Sequence, residues 1–248
     1  MVIEFGENEF NEELEAGTTG VLHYDTFLLY ARSENLSDRE IAIRDLSKLS
    51  RTLNIERDQR QIEVVISLIE NVFAKETDST LCSMLVEQVP SLYVEFMAVE
   101  CLLKRIHNVF SALLASALDH ASDSVRKSAI GVIDSLVEQR MLPQGCLQSM
   151  ICPTLFGHCY CPSDYSHYIT DDQRVESLML LCKIVTWPGA LTKRWIFENF
   201  IGRYSILLQD TAFHIRKVML ASFIFKLDFD MMPRTYNISK IAAHRTST

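Results

Sequence analysis

The chain has 248 residues, a net charge of −8 and a hydrophobic fraction of 48%. These values are typical of a soluble globular protein with a sizeable core, and an acidic chain without a basic stripe argues against nucleic acid as a partner. Glycine and proline are scarce, at 8 and 6 residues, which favours long helices over strands and hairpins.

The N-terminal segment, residues 1–20, is acidic: six of its first fifteen residues are glutamate and none is basic. We interpret it as a disordered, solvated tail. It lacks a basic region followed by an apolar run, so no signal peptide is predicted. No 18-residue window is free of charge and strong polarity, so we expect no membrane as a partner. Seven irregularly spaced cysteines fit a reducing compartment, the cytoplasm or the nucleus.

Apolar residues recur at helical spacing through most of the chain. One such stripe consists of Ile62, Val65, Ile66, Ile69 and Phe73. Steps of three and four residues place them on one helix face. No convincing apolar–polar alternation is present, so the sequence predicts an all-α fold.

A longer repeat organises these helices. In Asp123–Glu138 an arginine, Arg126, is followed by apolar or small residues at +3, +7 and +10. The same frame fits from Arg39, Cys82 and Arg174, and from Arg216 it fits at +3 and +7. The five anchors are 43, 44, 48 and 42 residues apart, close to the period of HEAT-type helix pairs.

Each anchored helix, which we name helix B of its pair, is preceded by another amphipathic stretch, helix A. The A helices are predicted at about 22–33, 60–74, 101–118, 147–158 and 192–208. One pair cannot bury its apolar faces alone, whereas stacked neighbours form a continuous core. We therefore predict a right-handed α-solenoid of about five HEAT-type pairs over residues 21–230.

The anchoring arginines stand at helix starts, where the helix dipole disfavours a cation. An acidic residue just upstream offsets this effect. Asp119 precedes Arg126, and Asp210 precedes Arg216. We expect both pairs to form a structural ladder that cross-links the turns and sets register more than stability.

Two segments break the repeat. Residues 231–248 lose the apolar period and turn polar and basic, so we predict a disordered tail. Residues 157–171 are predicted to form a long link within the fourth pair. This link carries four candidate zinc ligands: His158, Cys159, Cys161 and His167. The gap between the two cysteines is shorter than zinc sites use, so we interpret the cluster as incidental and predict neither a metal nor another cofactor.

Catalytic motifs are missing from the sequence. No nucleophile elbow, glycine-rich phosphate loop or His-Glu-x-x-His string occurs. We therefore predict no catalytic residue and no enzyme. A metalloenzyme built on the 157–171 link is the competing hypothesis from this class.

Several stretches resemble a known family in order and spacing. They are YARSENLSDREIAIRDLSKL (30–49), LVEQVPSL (85–92), SDSVRKSAIGVIDSLVEQRML (122–142), ICPTLF (151–156) and FHIRKVMLASF (213–223). Together they resemble the N-terminal HEAT repeats of the protein phosphatase 4 regulatory subunit 1 family. The resemblance runs over about residues 24–228. That family is far longer, so we expect a short N-terminal piece.

The resemblance implies a non-catalytic subunit that binds the catalytic subunit of a serine/threonine protein phosphatase and helps to select its protein substrates. In related scaffolds the A-to-B turns grip the catalytic subunit, which implies contacts from 76–80, 120–124 and 209–214. The expected contact residues are Glu76, Asp78, His120, Asp123 and Asp210. The alternative is another HEAT-type adaptor, such as a transport or assembly factor, with its cargo on the concave face of the B helices.

Overall fold

The computed structural model describes residues 22–54, 57–160 and 169–224. Regular structure in these three ranges is helical, with no β-strand. This confirms the predicted all-α fold. The tails predicted at 1–20 and 231–248 lie outside the described residues.

The chain divides into two compact units, Met1–Val132 and Ile133–Thr248. The division falls inside one helix, α6. The first unit contains α1 (Tyr24–Ala31), α2 (Leu36–Thr52), α3 (Gln59–Asn71), α4 (Ser79–Met97), α5 (Leu103–Leu118) and the start of α6 (Asp123–Glu138). Short 3₁₀ turns, Phe73–Lys75 and Glu100–Leu102, follow α3 and precede α5.

Helices of the first unit pack on their neighbours in the manner of an α-solenoid. The A helix α1 packs on the B helix α2, and α4 packs on α5. Equivalent helices also lie side by side, since α2 contacts α4 and α3 contacts α5. The core between them is apolar and aromatic: Leu46, Ile66, Tyr93, Phe96 and Phe110 are all buried. Neighbour-on-neighbour burial of this kind is what a stacked helix pair needs for stability.

The second unit repeats the arrangement with longer, less regular A helices. It contains the end of α6, then α7 (Gln144–Cys146), a π-helical turn (Leu147–Ile151), α8 (Cys152–Cys159), α9 (Asp171–Thr186), α10 (Lys193–Trp195), a second π-helical turn (Ile196–Ile201), α11 (Gly202–Leu208) and α12 (Phe213–Ile224). Helix α9 packs on α8 and on α12, and α11 packs on α12. The B helices α9 and α12 are thus neighbours, as α2 and α4 are in the first unit.

The link predicted at 157–171 is shorter than expected. Helix α8 continues to Cys159, because Cys152, Leu155, Phe156 and Cys159 form one apolar stripe that is buried. Only residues 160–170 connect α8 to α9.

One stretch, Glu100–Leu118, is long and apolar enough by length and composition to cross a membrane. In the first unit it includes α5, whose buried side chains Ile106, Phe110 and Leu114 face the core. Packing against α3 and α4 accounts for this apolar composition.

Candidate functional site

The turns that join helix A to helix B carry many of the polar contacts of the described residues. In the first unit these A-to-B turns are residues 32–35, 76–78 and 119–122; in the second unit they are 209–212 and, of the connection between α8 and α9, the described residues 160 and 169–170. Three of them end on a capping residue. The Asn35, Asp78 and Thr170 side chains accept backbone N–H groups at the starts of α2, α4 and α9. Such caps satisfy donors that have no partner within the helix.

Three of the anchoring arginines donate hydrogen bonds to carbonyls of the turn before them. The guanidinium of Arg39 donates to the backbone carbonyls of Ser33 (3.2 Å) and Glu34 (2.8 Å). Arg126 donates to the carbonyls of His120 and Ala121, both at 2.8 Å.

Arg216 repeats this arrangement with the carbonyls of Asp210 and Thr211. In all three cases the acceptors lie six and five residues before the arginine. They belong to the A-to-B turn, where carbonyls have no partner within a helix. The periodic arginine in the sequence is therefore a cap for the preceding turn.

Two anchoring arginines also reach the next pair. The Nε atom of Arg39 lies 2.7 Å from the Glu76 carboxylate, 37 residues later. Arg174 donates to both carboxylate oxygens of Asp210, 36 residues later, and to the carbonyl of Cys159. Each of these ion pairs joins a B helix to the following A-to-B turn.

The observed ladder differs from the expected one at Asp210. We expected its carboxylate to meet Arg216, but that carboxylate is bonded to Arg174 and accepts the Ala212 N–H at 2.9 Å. Arg216 donates to the main-chain carbonyl of Asp210 instead. Arg126 pairs with the Asp123 carboxylate at 3.1 Å. Asp119 is the exposed C-cap residue of α5.

Glu76 is engaged within the fold. Its side chain is 8% exposed, and beyond Arg39 it accepts the N–H groups of Thr77 (2.9 Å) and Asp78 (3.1 Å). Burial alone raises the pKa of this carboxyl, but the bonds from Arg39 and the two backbone groups outweigh it, so the pKa of Glu76 is lowered. Glu76 and Asp210 thus hold neighbouring pairs together.

The other residues of the expected contact set differ in their availability. The Asp78 carboxylate accepts the Thr80 and Leu81 N–H groups at 2.9 and 3.0 Å. His120 accepts the Ser122 N–H through Nδ1 at 3.0 Å. Asp123, at the start of α6, keeps its side chain 57% exposed although Arg126 and Lys127 lie beside it.

An equivalent exposed carboxylate stands on the fourth pair. Asp171, at the start of α9, is 66% exposed and pairs with Arg174. Sequence analysis did not single it out, although it occupies the same place relative to its anchoring arginine as Asp123. Asp123 and Asp171 each lie three residues before an anchoring arginine, and that spacing was the available signal.

The four candidate zinc ligands do not form a site among the described residues. His158 is buried in α8 and its Nδ1 lies 2.8 Å from the hydroxyl of Ser177. Burial raises the pKa of the Cys159 thiol, which opposes the thiolate form that zinc requires. Cys161 and His167 lie outside the described residues. Within the described ranges no group of three potential metal ligands occurs.

Gln88 of α4 is a polar contact that sequence analysis missed. Its side-chain oxygen accepts the Ser47 N–H at 3.0 Å, and its amide nitrogen donates to the Ile43 carbonyl. Both partners belong to α2, so one side-chain amide joins the B helices of two consecutive pairs. Nothing in a single sequence distinguishes this glutamine from other polar residues of a helix.

Stacked helix pairs, capped turns and arginines shared between neighbours define a helical-repeat protein. No protein-family model matches the chain. The chain is similar to regulatory subunit 1 of serine/threonine-protein phosphatase 4 from Homo sapiens and from Mus musculus, each 27% identical over 201 residues. The Rattus norvegicus protein of the same name is 28% identical over 204 residues. These matches cover 78% of this chain and 19% of each relative, so the chain spans about a fifth of their length.

Proposed function

We propose that this chain is a non-catalytic regulatory scaffold of a serine/threonine protein phosphatase of the phosphatase 4 type. It binds the catalytic subunit and positions protein substrates for it. The observation that carries this proposal is the similarity, over 78% of the chain, to proteins named as regulatory subunits of that phosphatase. The relatives are named as regulatory subunits. Stacked helix pairs suit regulation by binding, because they present a long surface on a repeating frame.

The A-to-B turns are the surface that we assign to the catalytic subunit. The buried pairs Arg39–Glu76 and Arg174–Asp210 fix neighbouring turns within each unit. Each unit also carries an exposed carboxylate at the start of a B helix, Asp123 in the first unit and Asp171 in the second. In this proposal Glu76 and Asp210 support the contact surface from within, whereas Asp78 and His120 shape the turns.

The scaffold acts by raising effective concentration. Two proteins held on one semi-rigid frame meet far more often than they do free in solution, without any new chemistry. We also propose the cytoplasm or the nucleus as its location. Among the described residues, Cys82, Cys101, Cys152 and Cys159 are free thiols, which suits a reducing compartment.

Co-precipitation from cell extract tests the binding proposal. The tagged chain is expected to retain the phosphatase 4 catalytic subunit. Reversing the charge of two exposed turn residues, Asp123→Lys with Asp171→Lys, is expected to weaken retention at least tenfold. Glu70→Lys with Glu198→Lys is the matched control, because both side chains are exposed, at 45% and 52%, but lie on A helices.

Two results contradict the proposal. One is that the wild-type chain retains no catalytic subunit under conditions in which a full-length relative does. The other is that Glu70→Lys with Glu198→Lys lowers retention as strongly as the turn variant, which would mean that net charge and not the turn surface governs binding.

The second candidate function is an adaptor that carries its cargo on the B helices. Exposed apolar side chains on two of these helices favour it, namely Val94 of α4 (59% exposed) and Met179 of α9 (57% exposed). Methionine is among the residue types that are enriched in protein interfaces. Val94→Glu and Met179→Glu are expected to abolish cargo binding if the adaptor function is the true one, and to leave phosphatase retention unchanged if it is not.

A further inference from the structure

The A helices of the second unit carry a charge opposite to that of the whole chain. Residues 193–208, which we name the fifth A segment, contain three basic residues and one acidic residue, a net charge of +2. The chain as a whole has a net charge of −8. Residues 144–159, the fourth A segment, contain no Asp, Glu, Lys or Arg. Together the two segments give this unit a positively charged region that is not neutralised from within.

Arg203 of α11 is held by aromatic rings and not by a carboxylate. Its guanidinium carbon lies 5.3 Å from the centre of the Phe156 ring and 5.6 Å from the centre of the Tyr160 ring. The acidic residue of the same segment, Glu198, is bonded to Arg194 at 2.8 Å. Arg203 is exposed, and within the described ranges it makes neither a hydrogen bond nor an ion pair. Its charge therefore lacks a counter-charge in this part of the chain.

The rings under Arg203 belong to a cluster that joins two helix pairs. Phe156 of α8 is buried, and its ring centre lies 5.7 Å from that of Trp195 and 6.1 Å from that of Phe200, both in the fifth A segment. Tyr160 and Trp195 remain partly exposed. Tryptophan, tyrosine and arginine are the residue types that most often dominate the binding energy of protein interfaces. All three occur here around one buried phenylalanine.

Stacking on a ring leaves the hydrogen-bonding groups of an arginine available. An aromatic face attracts a cation by about 0.5–1 kcal/mol at an exposed site. This contact orients the guanidinium but does not use its N–H donors, five of which lie in the guanidinium plane. A carboxylate can accept two of them in parallel, in one of the strongest hydrogen-bonded pairs of proteins. Arg203 is thus prepared for a carboxylate that comes from outside the chain.

An exposed apolar side chain lies on the same face of α11. Ile206 is 60% exposed and follows Arg203 by three residues, a spacing that places two Cβ atoms about 5–6 Å apart on a helix. In an extended peptide, side chains two residues apart lie on one side at a separation of about 7 Å. An acidic residue followed two positions later by an apolar residue therefore matches Arg203 and Ile206.

We propose that Arg203 and Ile206 bind an acidic segment of a partner protein in which Glu or Asp is followed two residues later by an apolar residue. Arg203 takes the carboxylate, and Ile206 contacts the apolar side chain. The A-to-B turns of the same unit carry Asp171 and Asp210 and repel such a segment. The two surfaces therefore select different partners.

The identity of the partner rests on the proposed function. If the acidic A-to-B turns hold the catalytic subunit, the basic surface at Arg203 is left for a protein substrate, which it recognises by an acidic segment. The affinity of Arg203 and Ile206 for such a segment does not depend on the phosphatase and is measured without it.

A nuclear magnetic resonance titration of the full-length, ¹⁵N-labelled chain tests the site. The probe is the peptide acetyl-Ala-Glu-Ala-Leu-Ala-amide. It is expected to shift the indole N–H signal of Trp195 and the amide signals of Arg203 and Ile206 in a saturable way, with a dissociation constant of about 1 mM. The same peptide with Gln in place of Glu is expected to bind about tenfold more weakly, because it cannot form the charge-assisted pair.

Three variants separate the arginine from the general charge of the segment. Arg203→Ala is expected to weaken binding about tenfold. Arg203→Lys keeps the charge, which guards against a loss of fold, but lacks the planar fork and is expected to weaken binding about threefold. Arg194→Ala is the matched control, because Arg194 is exposed on the same segment but is already bonded to Glu198; it is expected to keep the wild-type affinity.

The apolar half of the site has its own test. The peptide with Ala in place of Leu is expected to bind about threefold more weakly to the wild-type chain, since it buries less apolar surface. In Ile206→Ser the Leu and Ala peptides are expected to bind alike. A preference for Leu that survives in this variant would contradict the role of Ile206.

The proposal is overturned by a probe that gives no saturable shift, by a Gln peptide that binds as tightly, or by Arg194→Ala weakening binding as much as Arg203→Ala. A phosphoserine peptide that binds more than about tenfold more tightly than the Glu peptide would contradict the assignment to a carboxylate. Retention of the catalytic subunit is measured separately. A chain that binds the probe but retains no catalytic subunit contradicts the proposed function alone, and retention without probe binding contradicts the site at Arg203 alone.

Discussion

Arg174 of the fourth helix pair and Asp210 of the fifth form an ion pair, and their side chains are only 12% and 14% exposed. The guanidinium donates to both carboxylate oxygens. Because water is largely excluded from this pair, either charge left without the other would be costly. The pair therefore fixes α9 against the turn that leads into α12.

Arg174→Met is expected to lower the free energy of unfolding by about 2–3 kcal/mol, since it leaves the Asp210 carboxylate buried without its cation. Urea denaturation followed by circular dichroism measures the loss. Arg194→Met is the matched control: Arg194 pairs with Glu198 on an exposed helix face, and such pairs contribute about 0.5 kcal/mol or less. Equal losses in the two variants would contradict a special role for Arg174.

Glu76 is expected to give the protein a measurable sensitivity to acid. Its pKa in the fold is lowered from the ordinary value of 4.5, so the folded state binds fewer protons than the unfolded state near that pH. Its contribution to stability is complete above about pH 4.5 and is lost as the pH falls through the folded pKa. Glu76→Gln is expected to be less stable by about 1–2 kcal/mol at pH 7.

The difference between Glu76→Gln and wild type should narrow between pH 5 and pH 3, because only the wild type loses this contribution there. Denaturation midpoints over that range measure it. Glu70→Gln serves as the comparison, since the Glu70 side chain is 45% exposed beside Arg105. If the difference in stability between the variant and the wild type stayed constant at all pH values, Glu76 would be ruled out as the source of the acid sensitivity.

Gln88→Glu is expected to lower stability by about 2 kcal/mol at pH 7. The carboxylate keeps an acceptor for the Ser47 N–H but loses the donor to the Ile43 carbonyl, and two oxygens then face each other. Protonation restores a donor, so the loss should shrink as the pH falls below the raised pKa of the new carboxyl. Gln139→Glu is the control, because Gln139 is exposed; a loss independent of pH would contradict the proposed bonding.

Arg140→Gly is expected to stabilise the second unit by about 1 kcal/mol. Arg140 has a φ of 58° just after α6, a left-handed conformation that is unfavourable for every residue except glycine. The loop after α9 meets the same need with a glycine, since Gly189 has a φ of 85°. Gly189→Ala should be destabilising by a similar amount, although a Cβ there would meet no atom within 4 Å. Thermal melts of both variants test the pair of expectations.

The helix pairs could be read from the sequence because their cause is local. Apolar residues at steps of three and four define each buried stripe, and the anchoring arginine recurs because the carbonyls of the preceding A-to-B turn need donors. Arg126 and Arg216 therefore fall where the frame predicts them. Helices α5 and α6 begin and end within about two residues of the predicted bounds.

The partners of these arginines could not be read in the same way. Arg39 meets Glu76 and Arg174 meets Asp210 only because one pair stacks on the next, and the distance between stacked pairs is a tertiary property. The hydrogen bonds of Gln88 depend on the register between α2 and α4. The position at which α8 ends depends on the burial of Cys159.

The shared arginines also bear on the order in which the protein opens. Arg39 is bonded both to its own turn and to the turn that follows, so melting of the second pair removes a restraint from the first. Local opening should then spread from one repeat to the adjacent one. Because Arg39 joins the two turns, backbone amides near Ser33 and Glu76 should share one hydrogen-exchange rate.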